Sequence, residues 1–180
     1  FKIAIMIGES SALEREDVAI LRGAALFSDV SNEVVEPFLA KASVRLLQNR
    51  EILFRPQHTA EFIFIVLRGK IQVYRGETAG KHAVLSVFLP GSAVALEAGL
   101  AQGIYGMTAE AVGMCRLLEI PAQAFRTALA NGGALSSSVV RVLAQNLDEA
   151  FQQLERIQLK PTSQRLADFL LSLVNERNGS

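Results

Sequence analysis

The spacing of apolar positions divides the chain into three stretches. Up to about residue 43 the spacing is helical. Leu13, Val18, Leu21 and Leu26 form a rough apolar face. Ser10 or Ser11 is the expected N-cap, and Glu14, Glu16 and Asp17 lie near the positive N-terminal end of that helix. A second short helix is expected after Ser31 as N-cap, with Val34, Val35, Phe38 and Leu39 on its buried side. Pro37 falls inside its first turns, where a missing N–H costs little.

From about 44 to 120 the apolar runs shorten and turn residues punctuate them. Strands are expected over 44–47, 51–54, 62–67, 70–74, 82–88, 106–111 and 114–120. Gly69, Gly76, Gly80, Pro90-Gly91 and Gly113 are read as the turns between them. Residues 62–67 are apolar on both faces and predict a central, doubly buried strand. Arg68-Gly69 is expected to turn the chain into 70–74, which alternates and should be half exposed. Many short strands at this spacing indicate an antiparallel β-roll. With the flanking helices, the fold class is α+β.

The third stretch is helical again. A short helix over 122–129 should stop at Asn131-Gly132-Gly133. A long helix is expected from about 135 to 160. Along it Val140, Leu143, Leu147, Ala150, Leu154 and Ile157 alternate three and four apart, an a/d heptad seam. Such a seam can pack on its own domain; its sustained period favours a homodimer. Pro161 should end this helix, and Thr162 or Ser163 should cap another carrying Leu166, Phe169, Leu170, Leu173 and Val174. The expected division is 1–134 for the helices and roll, 135–160 for the dimerisation helix, and 161–180 for the opening helix of a further domain.

Charge and chemistry narrow the function. Lys+Arg and Asp+Glu number 18 each, so the net charge is zero. A nucleic-acid reader usually carries a basic excess, so this piece is not expected to read DNA alone. Cys115 is the single cysteine, which excludes a disulfide framework within one chain and a protein-held iron–sulfur cluster. The expected role of Cys115 is that of a small buried hydrophobe. No charge-free run approaches the roughly 20 residues of a membrane span, so the expected location is cytoplasmic. The chain shows no G-x-S-x-G, P-loop or H-E-x-x-H pattern, and no enzyme is expected. It opens on Phe1 rather than methionine, so it is expected to be processed or part of a longer product, with Met6 a candidate native start.

The order of elements resembles the Crp/Fnr family of bacterial transcription regulators. Residues 21–30, with Leu26-Phe27, are similar to that family's opening helix and turn. Residues 54–74, ending in Gly69-Lys70-Ile71-Gln72-Val73-Tyr74, are similar to its strand, loop and hairpin. Arg165-Leu166-Ala167, followed by Phe169-Leu170, is similar to the helix that opens its DNA-binding domain. The resemblance implies the sensor and dimerisation half of a regulator. It implies a homodimer through the long helix, a small-molecule or gas effector, and contact with DNA only through a helix-turn-helix missing here.

In family members that bind cyclic nucleotides, a cassette supplies a Glu to the ribose. An Arg-Ser/Thr pair then holds the cyclic phosphate. Here the cassette resembles Ala95-Leu96-Glu97-Ala98-Gly99-Leu100 and then Tyr105-Gly106-Met107-Thr108-Ala109. Glu97 matches the ribose carboxylate, but the arginine position falls on Tyr105 and the hydroxyl position on Gly106. A cyclic phosphate without its cation would be poorly compensated, so a cyclic nucleotide is not expected to be the effector. The expected effector pocket comprises Leu96, Glu97, Ala98, Tyr105, Gly106, Met107 and Thr108. Its apolar character is similar to the branch that controls denitrification and senses nitric oxide through haem. Haem is therefore a candidate cofactor, with His58 and His82 as candidate ligands and no choice between donors. Two alternatives stand beside this reading: a dimeric β-roll interaction module, and a cyclic nucleotide sensor with a degenerate cassette.

Overall fold

The computed structural model describes residues 13–75 and 83–158. Their contacts divide the chain into two units, 1–140 and 141–180. In the first unit, helices α1 (Arg15–Gly23) and α2 (Asn32–Leu39) precede strands β1 (Ser43–Leu47), β2 (Ile52–Phe54), β3 (Phe62–Arg75), β4 (Ala83–Phe88) and β5 (Ala93–Val94). Helix α3 (Leu96–Leu100), strand β6 (Thr108–Pro121) and helix α4 (Ala122–Ala130) follow, and α5 (Ala134–Gln158) continues into the second unit. The sheet order is β1-β6-β3-β4, with β2 also on β6 and β5 on β3, and every pairing is antiparallel. This is the α+β β-roll that the apolar pattern predicts.

Two expected turns are absent. Arg68-Gly69 does not end a strand: β3 runs unbroken for 14 residues, and so does β6 across Gly113. Both glycines have positive φ, +83° and +77°. Strand register slips on either side of Arg68, the mark of a bulge rather than a reversal. At Gly69 a Cβ would sit 2.5 Å from the Met114 carbonyl oxygen and 2.6 Å from Cys115 Sγ, so only glycine lets the two long strands close. The expected doubly buried strand is observed, with Ile63 through Leu67 all buried. The expected strand from Gly106 begins later, at Thr108.

The first helix is capped by Glu14. Its N–H donates to Asp17 Oδ2 at 2.8 Å in a reciprocal capping box; Ser10 and Ser11 lie outside the described residues. Asp17 is 2% exposed and accepts from Arg116 Nε at 2.9 Å, tying α1 to β6. Arg68 reaches Glu16 at 2.7 Å and Glu14 at 3.6 Å from β3. In α2, which follows Ser31 as expected, Pro37 is the sixth residue rather than part of the first turn, so the helix forgoes one backbone bond. Phe38 meets Phe125 of α4 edge-on at 5.2 Å, joining the two helices. Helix α4 stops at Asn131, followed by Gly132 and Gly133 with φ of +70° and +81°, as the sequence predicts.

Along α5, Val140, Leu147, Ala150 and Leu154 are exposed and Leu143 is half-buried. The side chain of Ile157, and everything expected at Pro161 and over 161–180, fall outside the described residues. Among the described residues no helix is long and apolar enough to cross a membrane.

Candidate functional site

The cassette is built differently from the sequence expectation. Strand β5 passes through Ala95, whose φ of 60° is left-handed, directly into the short helix α3. That helix seats Leu96 in the core, leaves Glu97 exposed and half-buries Ala98. Gly99 follows because a Cβ there would fall 2.5 Å from the side chain of Ile63 on β3. The loop after α3 is then stitched to the loop before β3. Ala60 N–H donates to Gly103 O at 3.0 Å, Tyr105 N–H to His58 O at 2.9 Å, and Gln57 N–H to Tyr105 O at 3.0 Å.

These bonds fix Tyr105, on which the site turns. Its ring lies flat on Phe54, with centroids 3.9 Å apart and 13° between planes. Its hydroxyl donates to Phe62 O at 3.0 Å and accepts from Phe62 N–H at 3.3 Å. The reason lies in the sheet edge. Val66, four residues further along, finds its partners in Ser92 and Gly91, and β5 covers Phe64 and Ile65. Phe62 faces the same edge beyond the end of β5, and the phenol takes the place of a further strand. Burial raises the Tyr105 pKa above 10.0, opposed in part by the Phe62 backbone bond, so the hydroxyl keeps its proton and can donate.

Two hollows share Phe54 and Tyr105 as lining residues. The cassette hollow is about 20 Å³, lined by Val73, Phe88 and Val94 of the sheet and by Glu97, Ala98, Gly106 and Met107. That is room for about one water molecule. Five of the expected pocket residues therefore meet here: Glu97, Ala98, Tyr105, Gly106 and Met107. Leu96 and Thr108 do not line it. Leu96 is fully buried, and Thr108 is buried opposite Tyr74 in the β3–β6 register. Sequence reasoning missed Arg75, which reaches across from the end of β3 so that its Nε donates to Gly106 O at 3.3 Å.

The second hollow is an open cleft of about 490 Å³, lined by Phe54, Phe62 and Phe64 and by Arg45, His58, Glu61 and Glu119. Phe64 stacks at 5.9 Å on Phe54 and lies 6.4 Å from Phe62, so the rings form a continuous wall. Arg45 and Glu119 face each other at 3.8 Å. Burial raises the Glu119 pKa from its ordinary 4.5, and Arg45 offsets this only in part. Neither residue was singled out in the sequence. Each sits at a polar position of an alternating strand, and only the β1–β6 pairing brings them together.

Among the described residues no two donors suited to haem iron converge. His58 lines the cleft together with Arg45, Glu61 and Glu119. The Tyr105 hydroxyl is committed to Phe62, Met107 borders a hollow of about 20 Å³, and His82 lies outside the described residues. Among the described residues these donors do not meet at one site to hold a haem. Among the described residues no group of three or more His, Cys, Asp or Glu is placed to hold a metal ion. Cys115 is buried, and its thiol donates to Lys70 O at 3.1 Å, consistent with a small core side chain.

Residues 44–131 match the family model for the cyclic nucleotide-binding domain. The cyclic AMP receptor protein of Thermus thermophilus is 23% identical over 159 residues, covering 88% of this chain and 74% of that protein. A solved structure from Ruegeria pomeroyi, described as a cyclic nucleotide binding protein, is 28% identical with a TM-score of 0.61, over 88% of this chain and 70% of that one. The sensor domain of the transcriptional regulator DNR from Pseudomonas aeruginosa shares the fold, with a TM-score of 0.63 at 20% identity over 79% of this chain and 95% of that one. The chain therefore has the cyclic nucleotide-binding fold, and regulators of the Crp/Fnr type are among the proteins it resembles.

Proposed function

We propose that this chain, with its cyclic nucleotide-binding fold, is the effector-sensing and dimerising part of a Crp/Fnr-type regulator of transcription whose effector is not a cyclic nucleotide. The observation that carries the second half is Tyr105. It occupies the cassette's arginine position, stacks on Phe54 at 3.9 Å, commits its hydroxyl to Phe62, and leaves a hollow of about 20 Å³. Small-molecule sites usually enclose roughly 300–1,000 Å³. A cyclic nucleotide would have to displace a ring fixed by backbone bonds on both sides. The cassette's arginine and hydroxyl positions carry Tyr105 and Gly106, and the guanidinium beside them, that of Arg75, is bonded to Gly106 O.

The regulator reading joins this sensor to the long helix. Val140, Leu147, Ala150 and Leu154 expose one apolar seam, which suits a second copy. An effector would bind one arrangement of the paired helices better than the other, shifting the population by no more than its differential affinity. DNA would be contacted by a domain following that helix. Among the described residues the haem reading has no support from the donor set.

Calorimetric titration with cyclic AMP and cyclic GMP tests the proposal. No saturable heat is expected for either. Micromolar binding of one of them would make the chain a cyclic nucleotide sensor with a degenerate cassette.

A further inference from the structure

We propose that the cleft of about 490 Å³ beside Tyr105 binds a zwitterionic free amino acid carrying an aromatic or large apolar side chain. The inference rests on the cleft alone and stands whether or not the cassette binds a nucleotide.

The charges select the ligand class. Glu119 is largely withdrawn from water, its side chain 14% exposed, yet it faces Arg45 at 3.8 Å rather than in close hydrogen-bond contact. A half-buried carboxylate ordinarily takes close donors, and the direct N–H···O distance is about 2.7–2.9 Å. The pair is thus held apart with bonding capacity left on both members. A cation alone would bind Glu119 but meet the Arg45 guanidinium. An anion alone would bind Arg45 but meet both Glu119 and Glu61, which line the same cleft. An ammonium and a carboxylate on one carbon satisfy both at once: the ammonium on Glu119 and the carboxylate on Arg45. A peptide terminus presents only one of the two charges.

The remaining surface selects the side chain. Phe62, half-buried at the cleft, is the ring left to a ligand, with Phe54, Phe64 and Tyr105 buried behind it. An aromatic or branched apolar group laid against Phe62 shields the part of that ring still in water. The volume is within the range of small-molecule sites.

The chain contains no tryptophan and two tyrosines, so L-tryptophan excited at the red edge, where tyrosine does not absorb, reports its own binding. Titration is expected to give a saturable blue shift. Tryptamine, which lacks the carboxylate, and indole-3-propionate, which lacks the ammonium, should each bind at least tenfold more weakly. Glu119→Gln and Arg45→Gln should each weaken L-tryptophan at least tenfold, with circular dichroism preserved and thermal unfolding still cooperative. If a variant does not fold, the analogue series on the unaltered protein decides. Absence of saturable binding by L-tryptophan, and by L-phenylalanine and L-leucine in calorimetry, would overturn the proposal. So would equal affinity for L-tryptophan and its two singly charged analogues. Either result would leave the cyclic nucleotide titration, which reads the cassette, unaffected.

Discussion

Replacing Tyr105 separates what its hydroxyl and its ring contribute. Tyr105→Phe keeps the stack on Phe54 but removes the group that serves both backbone atoms of Phe62, at 3.0 and 3.3 Å. Leaving buried backbone groups unpaired costs about 1–3 kcal/mol. The open cleft beside Phe62 lets water replace part of the loss, so about 1–2 kcal/mol is expected. Tyr105→Ala adds the loss of the ring and its stacking contact, and aromatic-to-alanine changes in cores cost about 3–5 kcal/mol. With a urea slope of about 2 kcal/mol/M, the unfolding midpoint should fall by roughly 0.5–1 M for the phenylalanine variant and about 2 M for the alanine variant. Both are measured at one fixed protein concentration, because association would shift the midpoint by mass action. An unchanged midpoint for Tyr105→Phe would mean that the phenol does not hold the sheet edge. Equal losses for the two variants would mean that the ring contributes nothing and that the cassette is not plugged by it.

Three further outcomes are expected. Asp17→Ala leaves Arg116, 8% exposed, without its 2.9 Å carboxylate and opens the capping box, so a loss of about 3 kcal/mol is expected by urea unfolding, with Asp17→Leu/Arg116→Met regaining most of it; a loss under about 1 kcal/mol for the single variant would refute the clasp. Leu147→Glu places a charge on the exposed seam and should turn a dimer into a monomer by sedimentation; a dimer that persists would refute the seam. Because burial raises the folded-state pKa of Glu119 above 4.5, ionising it as pH rises through that raised value costs the fold stability, so Glu119→Gln should melt higher than the unaltered protein at pH 7 and lose this advantage well below pH 4.5. A variant that melts lower at pH 7 than in acid, relative to the unaltered protein, would show that the Arg45 attraction outweighs burial.

What the sequence reveals is what neighbours in the chain decide. Ser31 before an acidic, apolar-striped segment marks α2, and Asn131-Gly132-Gly133 marks the end of α4. The two-faced apolar run at 62–67 identifies the central strand. Gly69 and Gly113 mislead because a positive-φ glycine serves a turn and a bulge equally well. At Gly69, whether the strand ends or only kinks depends on Met114 and Cys115, some 45 residues away. The same distance problem governs the site. Tyr105 is recognisable as a pocket residue, but its bond to Phe62 spans 43 positions. Arg45 and Glu119 look like solvent-facing members of alternating strands until the register of β1 on β6 places them at one cleft. Helix α3 is too short to leave a periodic signature, and its entry through a left-handed alanine has no local sign in the residue type.

The Phe54–Tyr105 pair is a partition one ring-stack thick. A ligand on either side can reach the other only by changing the free energy of that partition, and such an effect must be mutual. If an occupant of the cleft raised affinity in the cassette by some factor, an occupant of the cassette would raise affinity in the cleft by the same factor. An occupant that left the free energy of the ring pair unchanged would transmit nothing, however tightly it bound. Any coupling across the wall would therefore run equally in both directions.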